Sequence, residues 1–243
     1  MEGLPLAGQV ALVTGGAKRI GRSIVERLTA DGADVVVNYA TSKADAEQLV
    51  QQLAALGRRA IAWNADVTRR EQVHAMFQAV EKEFGRLDIL INNAAIFAPA
   101  DVESLTEEQW DRILNTNLKG SFLCAQAAIP LLRRSTRGQI INLSSLGAFL
   151  SWPQYTHYCV SKAGVVMLTR CLARALAPQI RVNSVAPGTI EFEGEAPHEE
   201  FIRRAPLHRT GTGEDIVNAV AYLLSADFVT GQVLIVDGGR VLT

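Results

Sequence analysis

Residues 9–21, QVALVTGGAKRIG, join a short apolar run directly to a glycine-rich turn. The residues after the turn, 20–30, have the apolar spacing of an amphipathic helix. A strand that enters a helix through glycines turns tightly and brings the free amides of the helix amino terminus close to an anion. The stretch therefore predicts the first strand–turn–helix unit of a dinucleotide-binding fold, in which the turn binds a pyrophosphate.

The alternation of short apolar runs with longer helical stretches continues along the chain. Runs that are apolar at consecutive positions are typical of parallel strands covered by helices on both faces. We therefore predict an α/β, doubly wound (Rossmann) fold with a seven-stranded parallel sheet, in one domain over 1–243. The predicted strands are QVALVT, ADVVVNY, RAIAWN, LDILINN, GQIINLSS, IRVNSVAP and QVLIVDGG. The predicted helices cover 20–30, 43–56, 70–84, 106–134, 155–177 and 214–225.

The composition is that of a globular enzyme, with 48% hydrophobic and 20% charged residues. The 24 Lys and Arg residues against 25 Asp and Glu provide no broad basic field for nucleic acid. Three cysteines without a CxxC pair indicate free thiols in a reducing compartment. The amino-terminal stretch lacks the basic segment and apolar length of a signal peptide or membrane span. We expect a cytoplasmic protein without a nucleic-acid or membrane partner and without a metal site.

One region, 188–213, does not follow the alternation of strands and helices. It carries five glutamates beside two prolines and two histidines. A loop of this kind is either a substrate loop that closes over a site or a solvated acidic surface loop, and both remain open. Its glutamates are Glu191, Glu193, Glu195, Glu199 and Glu200.

The end of the second predicted strand, 38–43, reads NYATSK and contains no acid. Sites for NAD usually place Asp or Glu there, about 20 residues after the turn, on the ribose 2′-hydroxyl. Arg19, Thr41, Ser42 and Lys43 suit charge-assisted hydrogen bonds to a 2′-phosphate instead. The pattern favours NADP(H) over NAD(H), with ordinary surface charges as the alternative explanation for Arg19 and Lys43.

The motif Tyr158-Cys159-Val160-Ser161-Lys162 places a phenol and an ammonium four residues apart on one face of a predicted helix. A phenol with a pKa of about 10 is a weak acid–base catalyst at neutral pH, and a nearby cation lowers that pKa by stabilising the phenolate. The pair indicates a proton-transfer site, although a surface pair on any helix has the same spacing.

Taken in order, the motifs resemble those of the short-chain dehydrogenase/reductase family over almost the whole chain. Its features here are the glycine turn, paired asparagines after the fourth strand, a serine pair and the Tyr–Lys motif. The full set of motifs that carry the resemblance lies, in order, at 14–21, Asp66-Val67, Asn92-Asn93-Ala94-Ala95, Asn117, Ser144-Ser145, Tyr158 with Lys162, and Pro187-Gly188.

The resemblance implies a catalytic set of Asn117, Ser145, Tyr158 and Lys162. The family serine stands thirteen residues before the tyrosine, which selects Ser145 over its neighbour. Ser145 would then bind the substrate carbonyl and Tyr158 would donate the proton. Lys162 would hold the nicotinamide ribose and lower the phenol pKa, and Asn117 would anchor a water relay. By themselves, Ser145 and Asn117 are equally consistent with turn or cap residues.

The resemblance also implies a cofactor site along the carboxyl ends of the strands. Asp66 and Val67 would contact the adenine, with a helix cap as the alternative for Asp66. Residues 93–95 would line the adenosine ribose, and residues of 187–190 the nicotinamide, with core packing as the alternative for Ile190. The implied cofactor residues are Thr14, Gly15, Lys18, Arg19, Ile20, Gly21, Tyr39, Ala40, Thr41, Ser42, Asp66, Val67, Asn93, Ala94, Ala95, Tyr158, Lys162, Pro187, Gly188 and Ile190.

The substrate indications conflict. The turn TGGAKRIG looks like that of pteridine reductases, whereas those enzymes commonly carry aspartate where this chain has Ser145, and a serine suits ketone reduction. A 3-oxoacyl or ketone substrate is the leading interpretation, a dihydropterin is the alternative, and a non-catalytic NADP-binding redox sensor is a third. Aromatic residues near the predicted site suit either stacking on a flat substrate or packing. They are Phe97, Phe149, Trp152, Tyr155 and Phe192.

Members of the resembled family usually assemble as tetramers or dimers through long central helices. The stretches 106–134 and 155–177 are suitable for this, so the resemblance implies a homo-oligomer.

Overall fold

A computed structural model describes residues 4–192, 194 and 198–243. Its centre is a seven-stranded sheet in the order β3-β2-β1-β4-β5-β6-β7, and every neighbouring pair is parallel. The predicted seven-stranded, doubly wound α/β fold is therefore confirmed. The strands are β1 (Val10–Val13), β2 (Asp34–Tyr39), β3 (Ala60–Asn64), β4 (Ile89–Asn92), β5 (Gly138–Leu143), β6 (Ile180–Pro187) and β7 (Val233–Val236).

Helices cover both faces of the sheet and begin or end within one residue of the predicted bounds, except over 106–134 and in the 188–213 region. One apolar cluster lies between the sheet and α1, α2 and α8, and the other between the sheet and α3, α5 and α6. The α-helices of the described residues are α1 (Arg19–Ala30), α2 (Lys43–Ala55), α3 (Arg70–Phe84), α4 (Glu107–Leu114), α5 (Gly120–Leu132), α6 (Thr156–Leu176), α7 (Glu199–Arg204) and α8 (Gly213–Ser225).

Strand β1 shows why the strand sequences are apolar at every position. Val10 and Leu12 belong to the cluster beneath α3 and α5, while Ala11 and Val13 belong to the cluster beneath α1 and α2. Successive side chains of a strand point to opposite faces, and both faces are buried here.

The prediction of a single α-helix over 106–134 is wrong in the middle of that range. A π-helical segment, Asn115–Lys119, separates α4 from α5 without breaking the backbone path. Such one-turn widenings are rare and occur frequently at functional sites. This one carries Asn117, whose buried side chain bonds to the backbone of Ile96, far away in sequence. The physical reason is therefore a tertiary contact that helical periodicity cannot reveal.

The predicted loop 188–213 contains one short helix, α7, and an isolated bridge between Ile190 and Gly211. The loop residues Glu193, Glu195 and Pro197 lie outside the described residues. Its last residue, Gly213, begins α8 after the capping residue Thr212. The 188–213 region is thus followed by the capped helix α8, which leads to the last strand of the sheet, β7.

No helix in the described part of the chain is long and apolar enough to cross a membrane. The same residues contain no group of three or more His, Cys, Asp and Glu side chains arranged to hold a metal ion. Cys124, Cys159 and Cys171 are free thiols.

Candidate active site

The glycine turn is held against the end of β4 by a network of hydrogen bonds. The Thr14 hydroxyl accepts bonds from the amides of Asn93 (2.9 Å) and Ala94 (3.0 Å). In return, the Asn93 side-chain amide donates to the carbonyls of Thr14 and Gly15, both at 2.9 Å. Thr14 is 2% exposed, so it supports the turn from behind rather than facing a ligand.

Two positions of the turn require glycine. Gly15 has a φ of +59°, in the left-handed region that side chains disfavour. A Cβ at Gly21 would collide with the carbonyl oxygen of Gly15 and with the Asn93 side chain. The backbone of the glycine turn and the start of α1 therefore approach each other more closely than a side chain at Gly21 would allow. The described residues provide no side-chain cap for α1, whose first turn has no acid, so its amino terminus suits an anion.

Asn38 is a structural residue that the sequence analysis missed. Its side-chain oxygen accepts from the Gly15 amide at 3.2 Å, and its carbonyl accepts from the Gly16 amide at 2.9 Å. Its side-chain nitrogen donates to the Ala65 carbonyl at 2.9 Å. The side chain is 1% exposed and ties the ends of β1, β2 and β3 together. The signal in the sequence is a polar residue near the end of an otherwise apolar strand.

A cleft of about 790 Å³ runs across the carboxyl ends of the strands. Most of the predicted site residues line it, whereas Thr14, Asn117, Lys162 and Pro187 are buried behind the surface. Ile190 both lines the cleft and packs in the core, so the packing alternative also describes it. The predicted residues in the lining are Gly15, Lys18, Arg19, Ile20, Gly21, Tyr39, Ala40, Thr41, Ser42, Asp66, Val67, Asn93, Ala94, Ala95, Ser145, Tyr158, Gly188 and Ile190.

One end of the cleft contains cations and hydroxyls. The Arg19 guanidinium lies 4.8 Å from the centroid of the Phe192 ring, and Arg19 has a left-handed φ of +50°. The Lys18 ammonium is 3.0 Å from the Asp45 carboxylate in an exposed ion pair. Lys43 does not line the cleft, and its ammonium lies 3.7 Å from Glu47.

Among the described residues that line the cleft, Asp66 is the one with a carboxylate. One of its oxygens accepts from the Thr68 amide at 2.9 Å. This is a turn contact and not a helix cap, because the capping residue of α3 is Arg69 and no side chain caps that helix. The carboxylate also remains part of the cleft wall, at the end of β3.

The four predicted catalytic residues come from three separate parts of the fold. Tyr158 and Lys162 lie on α6, Ser145 follows β5, and Asn117 lies in the π-helical segment. The Lys162 ammonium donates to the Leu143 carbonyl at 2.8 Å and lies 5.8 Å from the centroid of the Tyr158 ring. The Ser145 hydroxyl accepts from the Gly147 amide at 3.1 Å.

Asn117 is fully engaged with its neighbours. Its side-chain oxygen accepts from the Ile96 amide at 2.8 Å, and its nitrogen donates to the Ile96 carbonyl and the Ser161 hydroxyl, both at 3.1 Å. These bonds fasten the segment after β4 to α6 next to Lys162. Its position is thus close to the predicted catalytic set, but its carboxamide is bonded to the Ile96 backbone and the Ser161 hydroxyl.

Burial controls the ionisation of the Tyr–Lys pair. Burial raises the pKa of the Tyr158 phenol to about 12, and the hydrogen bond with Ser145 opposes this shift only in part. Burial lowers the pKa of Lys162 to about 8. The sequence prediction of a lowered phenol pKa is therefore wrong for this arrangement, because burial disfavours the charged phenolate. At neutral pH the pair is a neutral phenol beside a mostly charged amine.

Aromatic rings surround the phenol. The Phe97 ring stacks on Tyr155 with centroids 4.3 Å apart and meets Tyr158 edge-on at 4.7 Å. The Trp152 ring is nearly parallel to that of Tyr158, 6.1 Å away. Of the other predicted aromatic residues, Phe192 lies beside Arg19 and Phe149 lines neither this region nor the cleft.

Beyond these rings is a second cavity of about 420 Å³, which shares Phe97, Trp152 and Tyr155 with the cleft. Its lining combines apolar and aromatic side chains with charged residues, most of which belong to the 198–204 segment. The lining residues are Phe97, Leu146, Leu150, Trp152, Tyr155, Thr189, His198, Glu199, Glu200, Phe201, Arg204 and Arg240.

Known proteins match this chain over nearly its whole length. A family model described as "Enoyl-(Acyl carrier protein) reductase" matches residues 15–240. The 3-oxoacyl-[acyl-carrier-protein] reductase FabG of Staphylococcus aureus is 42% identical, over 94% of this chain and 96% of that protein. A 3beta-hydroxysteroid dehydrogenase of Eggerthella lenta is 39% identical, over 98% and 95%. The chain belongs to the short-chain dehydrogenase/reductase family.

Solved structures of the short-chain dehydrogenase/reductase family superpose closely on this one. A family member from Serratia marcescens is 34% identical, with a TM-score of 0.93 over 98% of this chain and 99% of that one. A blue fluorescent protein from a metagenomic library, solved in complex with NADPH, is 37% identical, with a TM-score of 0.91 over 97% and 99%. As a short-chain dehydrogenase/reductase, the protein is an oxidoreductase whose fold binds a nicotinamide cofactor.

The residues of the turn fit such a cofactor. The close approach at Gly15 and Gly21 leaves the start of α1 open to a pyrophosphate, and the 790 Å³ cleft extends from there to Tyr158. In this short-chain dehydrogenase/reductase the glycine turn therefore lies at one end of the cleft and the Tyr158 phenol lines the same cleft.

Proposed function

We propose that the protein is an NADPH-dependent reductase of a ketone or 3-oxoacyl carbonyl, in which Tyr158 donates the proton. The observation that carries this proposal is the position of Tyr158, hydrogen-bonded to Ser145, in the cleft that begins at the glycine turn. The named relatives support the substrate class, since one acts on 3-oxoacyl groups and another on a hydroxysteroid.

The preference for NADPH is supported by the charges of the cleft. Arg19 and the hydroxyl residues Thr41 and Ser42 line the end expected to hold the 2′-phosphate, while Asp66 is the acidic residue among the described lining residues. A guanidinium forms stronger, charge-assisted hydrogen bonds with a phosphate than with a hydroxyl. The solved relative in complex with NADPH supports the same preference.

The chain's own residues supply the proton side of the reaction. When bound, the nicotinamide would supply a hydride to the carbonyl carbon. Ser145 donates a hydrogen bond to the carbonyl oxygen, and Tyr158 transfers its phenolic proton to that oxygen as the alcohol forms. Lys162 stabilises the phenolate that remains, and solvent returns the proton. The raised pKa keeps Tyr158 protonated before the reaction, which suits a proton donor.

In the proposed site, Asn117 fixes the 96–97 segment and α6 and thereby anchors the relay that returns the proton. In the proposal, Gly188 and Ile190 in the cleft wall border the nicotinamide half of the cofactor, and Lys162 and Pro187, buried behind that wall, complete this end of the site. The pair Asp66 and Val67 borders the adenine, and 93–95 borders the adjoining ribose.

Dihydropterin reduction is the second candidate. The turn TGGAKRIG and the stacked rings of Phe97 and Tyr155 favour it, because a pterin is flat. A hydroxyl at Ser145, rather than a carboxyl, favours the ketone. A cofactor-binding sensor without catalysis would leave Ser145, Tyr158 and Lys162 together without a role.

The proposal includes the substrate loop 188–213 and a homo-oligomeric state. The described part of the loop contributes Thr189, His198 and α7 to the wall of the 420 Å³ cavity, which supports a role in substrate binding. Phe122 on α5 and Met167 on α6 are exposed apolar side chains on the helices expected to associate. Light scattering on the purified protein distinguishes tetramer, dimer and monomer.

The first test is steady-state oxidation of NADPH, with NADH in parallel, against acetoacetyl thioesters, simple ketones and dihydrobiopterin. We expect turnover of thioesters or ketones with NADPH. Preference for the pterin would replace the leading substrate class with the second candidate, and absence of turnover with every substrate would contradict the proposed reductase activity.

A further inference from the structure

We infer that the substrate is a free, small ketone that carries an aryl group, and that the 420 Å³ cavity beside Tyr158 binds that ring. This inference rests on the proposed reductase function. It differs from the 3-oxoacyl alternative in placing a rigid flat group, rather than a flexible carrier-bound chain, against the aromatic residues of the cavity.

The first observation is the continuity of the cavity with the proton donor. Phe97, Trp152 and Tyr155 line both the cavity and the cleft that contains Tyr158. A carbonyl held at Ser145 and Tyr158 would therefore extend its substituent directly into the cavity. Its volume of about 420 Å³ lies within the range of small-molecule sites. A cavity of ~150 Å³ already accommodates benzene.

The second observation is the exposed face of the aromatic cluster. Phe97 stacks on Tyr155 at an interplanar angle of 1°, yet it is 56% exposed. An apolar ring that is ordered by stacking but left open to a cavity presents a flat surface to a ligand. A second flat ring gains stacking or edge-to-face contacts there that a flexible alkyl chain lacks.

The third observation is the position of the Trp152 ring relative to the Tyr158 phenol. Gly147 lies against both rings, because a Cβ there would be 3.1 Å from Trp152 and 3.2 Å from Tyr158. The missing side chain lets the indole lie parallel to the phenol, 6.1 Å away. The aromatic surface and the proton donor are thus held in one arrangement by the same short turn.

The fourth observation is the charge of the cavity lining. Among the described residues, two carboxylates and two cations line the cavity, namely Glu199, Glu200, Arg204 and Arg240. Arg204 is 2.9 Å from Glu200, and Arg240 donates to Thr243 at the carboxyl end, so both cations have intramolecular partners. An acidic carrier protein or a phosphorylated arm would meet two carboxylates there, and the two cations are already engaged within the chain. A free, uncharged ketone would not be repelled by them.

The test compares 4-phenyl-2-butanone with 2-octanone at saturating NADPH. Both are unconjugated methyl ketones with similar apolar area, so the comparison isolates the flat ring from reactivity and hydrophobicity. We expect kcat/KM to be roughly three- to tenfold higher for the aryl ketone, the range that aromatic contacts add beyond area burial. Acetoacetyl groups, on acyl carrier protein and as a small thioester, should be poorer substrates than the aryl ketone.

Phe97→Leu keeps an apolar side chain and removes the ring, so the ratio of kcat/KM for the two ketones should fall towards one. Phe149→Leu is the matched control, since Phe149 lines neither the cavity nor the cleft, and it should keep the wild-type ratio. Fluorescence titration with NADPH verifies that each variant is folded.

Equal kcat/KM for the two ketones in the wild type, or better turnover of the carrier-bound substrate or of dihydrobiopterin, would overturn the inference. If the protein still reduces a carbonyl substrate with NADPH in that case, the proposed function stands. Failure to reduce any carbonyl at saturating NADPH would overturn the proposed function and the inference together.

Discussion

The ammonium of Lys162 lies 5.8 Å from the centroid of the Tyr158 ring and is held there by the Leu143 carbonyl. Lys162 is buried and Tyr158 is half-buried in the wall of the cleft, and their surroundings shift the two pKa values in opposite directions, to about 12 for Tyr158 and about 8 for Lys162. Both shifts favour the uncharged form of the side chain more than water does. Lys162 is therefore the member of the pair whose pKa lies nearer to neutral pH.

This pKa for Lys162 predicts the alkaline limit of the reductase. Lysine is charged below its pKa, so the cation that stabilises the phenolate is present below about pH 8 and is lost above it. We expect kcat/KM for NADPH, which reports the free enzyme, to fall about tenfold per pH unit above that value. Initial rates of ketone reduction between pH 6 and 10 measure this. A profile that stays flat to pH 10 would show that the charge of Lys162 is not required.

Arg19 should determine the choice between the two cofactors. Arg19→Asn removes the guanidinium but suits the left-handed φ of +50°, because asparagine tolerates that conformation. We expect NADPH affinity to fall roughly 10- to 100-fold and NADH affinity to change little, since charge-assisted hydrogen bonds to the 2′-phosphate are lost. Lys43→Ala, at an exposed lysine outside the cleft lining, is the control. Equal weakening of both cofactors would assign Arg19 to the pyrophosphate.

Asn38 should stabilise the fold at the glycine turn. Asn38→Ala leaves the Gly15 amide and the Ala65 carbonyl without these partners in a buried setting, so we expect the free energy of unfolding to fall by about 2 kcal/mol. Asn64→Ala is the matched control, because Asn64 is an exposed residue at the end of β3 and water can replace its bond to Ala40. Denaturant unfolding measures both variants, and equal losses would contradict the role given to Asn38.

The strands and the order of the motifs were predictable because they depend on local patterns. Strand β1 is apolar at each position because both of its faces are buried. The turn needs glycine for its left-handed backbone at Gly15 and its close approach at Gly21, and glycines at such positions are visible in the sequence. These features account for the agreement between the predicted and observed sheet, and for the gathering of most predicted cofactor residues in one cleft.

Features that depend on distant contacts were not predictable in this way. The π-helical segment accompanies the bonds between Asn117 and Ile96, and the aromatic cluster brings Phe97 to Tyr155 from another part of the chain. The direction of the Tyr158 pKa was wrong because the sequence shows the nearby cation but not the extent of burial.

The most direct test of the account is the turnover of Tyr158→Phe. The variant keeps the ring that Phe97 and Trp152 contact and removes only the hydroxyl. At saturating NADPH and ketone we predict that kcat falls about 100- to 10,000-fold, the usual contribution of a positioned general acid, while the NADPH dissociation constant changes little. Wild-type turnover by this variant would contradict the assignment of Tyr158 as the proton donor.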